Sequence, residues 1–129
     1  MSVIVVIYYY SGGVDMHEMS YVIKLVNLAA ETAKREGLTK ITEIHADIGK
    51  MTGVLPFYMQ KYYKTAIKGS MLEGSALVMT ETEVRAHCNA CGCDYTPDAA
   101  HDYLCPACKS ANCKITAGRE VLLTQIKGE

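Results

Sequence analysis

Six cysteines lie between Cys88 and Cys113, and no cysteine precedes them in this 129-residue chain. Four form two C-x-x-C pairs, Cys88/Cys91 and Cys105/Cys108, separated by the 13 residues from Gly92 to Leu104. Each pair offers two thiolates from one knuckle. Two facing knuckles complete a tetrahedron that Zn²⁺ fills at Zn–S distances of about 2.3 Å without geometric strain. Disulfide-stapled domains spread their cysteines through the fold, so the clustering points to metal. A segment this short buries too little apolar surface to order itself, and metal binding would largely supply its folding energy. Gly92 and Pro106 suit tight knuckles. The alternative of a redox dithiol pair explains this spacing less well than one shared metal. Cys93 and Cys113 are surplus and read as free thiols, since replacing Cys91 by Cys93 as a ligand would strain the knuckle. His87 and His101 read as surface histidines beside a site already filled by four sulfurs, although His101 could reach a second metal from outside.

A second chemistry is written in SGGVDMHEMSYVIKL, residues 11–25. A histidine at the second residue of a chain can chelate through the terminal amine, its own amide nitrogen and its imidazole Nδ1. Such near-planar nitrogen sets suit Ni²⁺ or Cu²⁺. In Met16-His17-Glu18 that set would stand at a helix start, whose positive dipole end repels cations unless anionic donors offset it. From the residues alone, the simpler reading is that His17 and Glu18 are ordinary first-turn residues, with Glu18 a cap.

These groups need elements to hold them. From Met19, apolar residues recur at Val22, Val26, Ala29 and Ala33, with Ile23 and Ala30 beside them, which predicts an amphipathic helix. Asp15 is its expected N-cap, with Glu18 completing a capping box, and Gly37 ends it. In ITEIHADIG, Ile44, Ala46 and Ile48 point one way and Glu43, His45 and Asp47 the other, a half-buried strand. His45 and Asp47 read as a solvated face. Pro56 opens a second helix over Phe57–Lys68, with Met59, Tyr62 or Tyr63, and Ala66 inward and Lys61, Lys64 and Lys68 outward. Ser75–His87 reads as one long strand and Val121–Lys127 as a last one. These two are expected to pair, with the cysteine segment projecting from their common end. The predicted class is α+β: a small mixed three-stranded sheet with two helices, plus an inserted zinc-ribbon module.

The bulk numbers suit one ordinary domain, or a compact domain with a small inserted module, and nothing in them suggests a polyanion partner. Half the residues are hydrophobic, and 13 basic against 14 acidic side chains leave a net charge of −1. From Arg85 to Lys114 three cations face three aspartates, so the ribbon lacks the basic stripe that nucleic acid requires. The apolar run at residues 2–10 has no Lys or Arg ahead of it and is shorter than the ~20 residues that span a bilayer, so neither a signal peptide nor a membrane role is expected and the protein is read as cytoplasmic. No Ser-His-Asp, phosphate-loop or paired-carboxylate arrangement stands out, and no enzymatic activity is expected.

M-H-E-M-S at 16–20, the helix to Gly37, I-T-E-I-H-A-D-I-G-K-M-T-G-V-L-P at 41–56, the paired C-x-x-C knuckles and G-R-E-V at 118–121 together resemble the HypA/HybF family of hydrogenase maturation factors. The resemblance covers residues 16–129. It implies a nickel metallochaperone that works with a HypB-type GTPase, delivers Ni²⁺ to the large subunit of nickel–iron hydrogenase, and in some organisms serves urease maturation proteins. It implies nickel at His17, with Met16 and Glu18 beside it, and structural zinc on Cys88, Cys91, Cys105 and Cys108. The domains expected are 16–86 with 115–129 for nickel and 87–114 for zinc. Residues 1–15 are an atypical extension, because in the family the Met of Met-His-Glu comes first. Translation is expected to start at Met16, since Gly12-Gly13 permits a purine-rich ribosome-binding sequence just upstream. If the extension is translated, SVIVVIYYY must add as an edge strand or find a partner. The rival readings are a zinc-ribbon adaptor for protein or nucleic acid without exchangeable metal, and a redox protein using Cys93 or Cys113.

Overall fold

The computed structural model describes residues 2–10 and 18–129. In chain order the elements are β1 (Ser2–Tyr10), α1 (Glu18–Arg35), β2 (Ile41–Gly49), α2 (Pro56–Ala66), β3 (Ala76–Thr82), β4 (Arg85–Cys88), β5 (Asp94–Tyr95), β6 (Cys113–Ala117) and β7 (Val121–Gly128). They make two sheets. The first has the order β1-β7-β2-β3, and the second the order β5-β4-β6. The three expected strands β7, β2 and β3 therefore form a mixed sheet, with β3 parallel to β2 and β7 antiparallel to it. The apolar run takes the edge-strand course. β1 lies antiparallel on the outer side of β7, from Ser2 opposite Gly128 to Tyr10 opposite Val121.

Both helices contribute to one apolar layer against this sheet. From α1 come Tyr21, Val22, Leu25, Val26, Ala29, Thr32 and Ala33. The apolar face is rotated from the expected one: Tyr21 and Leu25 are inside, whereas Ile23 is 47% exposed. One residue is about 100° of helix turn, so Ile23 cannot share the Val22 face once Leu25 and Val26 define it. The C-terminus closes as a Schellman motif. Leu38 N–H reaches Ala33 O at 2.8 Å, Gly37 N–H reaches Lys34 O at 3.2 Å, and Gly37 takes the left-handed conformation at φ 79°. In α2, Met59 and Tyr63 are buried and Tyr62 and Ala66 partly so. Burying each large side chain contributes roughly 1.5–3 kcal/mol. β2 alternates as expected, with Ile44, Ala46 and Ile48 in the core.

Two expectations fail together. Ser75–His87 is not one strand but β3 and β4, which belong to different sheets, broken at Glu83-Val84. The strands before and after the cysteines pair differently as well: β7 pairs with β1 and β2, and β4 pairs with β6 inside the ribbon. The break has a backbone cause. Gly118, at φ 92°, lies so close to the break that a Cβ there would fall 2.6 Å from Val84 Cα and 2.7 Å from Glu83 O. Gly49 packs against Gly118 from the other side, and Met51 N–H donates to Gly118 O at 2.8 Å. Three backbone segments thus meet where the ribbon leaves the sheet, and Lys50 pairs with Glu83 across this junction.

Candidate metal centre

The two knuckles are built alike. In the first, Gly92 N–H donates to Cys88 O at 2.9 Å, and Gly92 sits at φ 79°. In the second, Lys109 N–H donates to Cys105 O at 2.7 Å, with Lys109 at φ 62° in the place of the glycine. β4 ends at Cys88 and is fixed by β6, where Cys113 lies opposite Cys88. The result brings Cys88, Cys91, Cys105 and Cys108 together, with all four sulfurs within 4.8 Å of one another. Cys88 Sγ is 3.5 Å from Cys108 Sγ, and Cys91 Sγ is 3.6 Å from Cys105 Sγ. Four sulfurs on a tetrahedron of 2.3 Å radius stand about 3.8 Å apart, so the cluster fits a Zn²⁺-sized ion. Among the described residues it is the one His/Cys/Asp/Glu group of this kind.

The thiols are unequal. Each knuckle gives one buried sulfur, Cys88 or Cys105, and one exposed, Cys91 or Cys108. The Cys108 amide hydrogen-bonds the Cys105 sulfur and draws its pKa down to about 6. The Cys91 amide lowers Cys88 in the same way. Cys108 accepts from the Ser110 amide, which favours its thiolate, yet hydrogen bonding with Cys88, Cys91 and Cys105 pushes it up to about 12. Four sulfurs this close cannot all ionise without a cation between them.

The surplus cysteines and the nearby histidines stand apart from the four-sulfur cluster. Cys93 lies outside the tetrahedron, 3.5 Å from Asp94 O, and burial raises its pKa. Cys113 is half-buried beside Ala86, Cys88 and Tyr95. His87 Nδ1 is 2.7 Å from Asp94 Oδ1, and His101 Nδ1 is 2.8 Å from Asp98 Oδ1. On the sheet, His45 Nε2 is 2.7 Å from Glu43 Oε1. Asp47 lines a cleft of about 390 Å³ with Thr82, Arg119 and Leu122.

Met16 and His17, and the Asp15 cap, lie outside the described residues. Glu18 opens α1, and its Oε1 accepts from the Leu55 backbone N–H at 3.3 Å, tying the first turn of α1 to the residue that precedes α2. Sequence reasoning assigned Glu18 to a local cap and missed this contact, which joins residues 37 apart. Nothing in a local pattern signals it.

Fold and site define a metal-handling α+β protein: a helix-backed mixed sheet carrying a four-cysteine ribbon. The family model for HypA, described as hydrogenase/urease nickel incorporation, metallochaperone, matches residues 16–128. The hydrogenase maturation factor HypA of Chlorobaculum tepidum is 36% identical over 106 residues, 82% of this chain and 93% of its own length. The guanidine hydrolase-activating protein A of Synechocystis is 33% identical over 88 residues, 68% of this chain and 73% of that protein. The solution structure of the Ni metallochaperone HypA from Helicobacter pylori superposes with a TM-score of 0.66 at 29% identity, covering 85% of this chain and 96% of that one. The chain belongs to the HypA family, the nickel metallochaperones of hydrogenase maturation.

Proposed function

We propose that Ni²⁺ binds this chain at Met16-His17-Glu18, with His17 as the ligand side chain, and passes with a HypB-type GTPase to the large subunit of nickel–iron hydrogenase. The observation that carries this reading is the family match, which begins at Met16, the first residue of that trio. Nickel is cargo, and the chain performs no catalysis. Zn²⁺ on Cys88, Cys91, Cys105 and Cys108 is structural: it would tie two knuckles that have little apolar core of their own. On this reading residues 16–86 and 115–129 serve nickel, residues 87–114 serve zinc, and residues 1–15 are an addition. The work is cytoplasmic.

An imidazole and an amide nitrogen favour Ni²⁺, and the positive dipole end of α1 next to them opposes a cation, which suits an ion that must be handed on. The client need not be hydrogenase. Urease is within the family description, and a relative is named for activating guanidine hydrolase, so a urease or a guanidine hydrolase is also a candidate client.

The test is a Ni²⁺ titration of zinc-loaded protein whose chain begins at Met16, beside one beginning at Met1. The shorter chain is expected to bind one Ni²⁺ tightly and the longer one more weakly, because the peptide bond removes the amine donor. His17→Ala is expected to weaken nickel binding by more than about 100-fold with zinc content unchanged. Unaltered nickel affinity in that variant refutes the assignment. Uptake of zinc alone by both chains favours the adaptor reading, and reversible thiol loss with zinc retained favours the redox one.

A further inference from the structure

On the face of β2 turned away from the core, Glu43 and His45 are partnered and Asp47 is not. His45 Nε2 lies 2.7 Å from Glu43 Oε1, and Lys127 Nζ lies 3.7 Å from Glu43 Oε2. Asp47 is half-buried, yet no hydrogen bond or ion pair among the described residues engages its carboxylate. A half-buried carboxylate in that state gives up hydration and recovers nothing.

Asp47 lines the cleft of about 390 Å³ where the sheet meets the ribbon. Thr82 of β3 and Leu122 of β7 stand with it on the sheet side, and Ile115 and Thr116 of β6 form the ribbon side. Arg119 and Glu120, between β6 and β7, complete its charged lining among the described residues. Thr116 is the extra residue of a bulge, because Ala86 lies opposite Ile115 and Arg85 opposite Ala117. Bulges re-aim side chains and are common beside sites. The Arg119 guanidinium and the Thr82 and Thr116 hydroxyls are as unengaged as Asp47, and Arg119 and Asp47 do not pair with each other. Glu120 is already engaged. Four idle polar groups thus converge on a cleft within the range of about 300–1,000 Å³ that small molecules occupy. Asp47 and Arg119 also belong to two of the stretches on which the family resemblance rests, and the proposed metal sites use neither.

Charge decides what fits. One cation lines the cleft against two carboxylates. An anion alone would meet Asp47 and Glu120, and a cation alone would leave Arg119 unanswered. A ligand carrying both signs answers each. An arginine fork takes a carboxylate through two parallel N–H···O bonds, an aspartate accepts from an ammonium, and a threonine hydroxyl serves either. Ile115 and Leu122 add an apolar wall. We propose that this cleft binds a free α-amino acid with an apolar side chain, its carboxylate on Arg119, its ammonium on Asp47 and its side chain against Ile115 and Leu122. The site uses none of the residues assigned to nickel or zinc, so it stands or falls apart from the function proposed above. An occupant touches both sheet and ribbon, and so favours the arrangement in which these walls face each other.

The test titrates L-leucine into the zinc-loaded full chain, followed by amide chemical shifts. Beside it run isopentylamine, which lacks the carboxylate, 4-methylpentanoate, which lacks the ammonium, and N-acetyl-leucinamide, which lacks both charges. L-leucine is expected to saturate below about 10 mM, moving the Asp47, Thr82 and Thr116 amides along one curve. Each analogue is expected to bind at least about tenfold more weakly. Arg119→Gln and Asp47→Asn are each expected to raise Kd for L-leucine at least about tenfold, with zinc stoichiometry and melting temperature as in the parent. Absence of saturable shifts up to about 10 mM overturns the proposal. So does N-acetyl-leucinamide binding as tightly as L-leucine, since both charges would then be idle. Parent-like Kd in both variants, or shifts confined to one wall, overturns it as well.

Discussion

Cys105 has its pKa drawn down to about 6 by the amide of its own knuckle, while Cys108 is pushed up to about 12 by the sulfurs around it. A consequence at the residue scale is pH dependence. Metal needs the sulfurs as thiolates, so protons compete with it, and a thiol pKa lowered in the folded knuckle lets the site hold zinc to lower pH. The Cys105 thiolate is present above about pH 6 and lost as pH falls through it. Zinc should therefore stay bound at pH 7 and be released as pH falls below about 6, read with a chromophoric chelator. Zinc held undiminished at about pH 4 would refute this. Cys105→Ala should lose zinc and unfold the ribbon while the helix-backed sheet persists, and Cys93→Ser should keep zinc at parental stoichiometry. Metal analysis with circular dichroism reads both. The four-cysteine cluster was legible from spacing alone, because a C-x-x-C turn brings its two sulfurs together locally. Which two are buried was not, because that depends on Ala86 and Tyr95 packing beneath the cluster.

Elements were legible where their period was unbroken. The α1 and α2 patterns and the alternation in β2 each predicted a buried face that the structure contains, with α1 rotated to admit Tyr21 and Leu25. The difference in burial sets a prediction. Met59→Ala should cost about 2–5 kcal/mol in urea unfolding, while Ile23→Lys should stay within about 0.5 kcal/mol. The long strand was misread because Glu83-Val84 keeps the alternation while its backbone turns away. The agent is Gly118, distant in sequence. Gly118→Ala meets both a left-handed φ and the Val84 backbone, so it should cost about 2–4 kcal/mol. A thermal melt equal to the parent's would remove the junction as the cause of the break.

At the scale of the whole molecule, β1 covers the edge of β7, and removing it should uncover that edge. A chain begun at Met16 should show faster amide exchange at the β7 positions facing β1, with exchange in β2 little changed. Unchanged β7 protection would mean that β1 does not pair there. The sequence by itself determined the four-cysteine cluster, the helical and strand faces and the family resemblance, because each is written in spacings within a short stretch of chain. Only the tertiary structure decided that β3 and β4 part, that β4 pairs with β6, and that Glu18 meets Leu55. Those outcomes depend on which distant backbones can approach closely, and a close approach is set by the summed packing of the layers rather than by any local period.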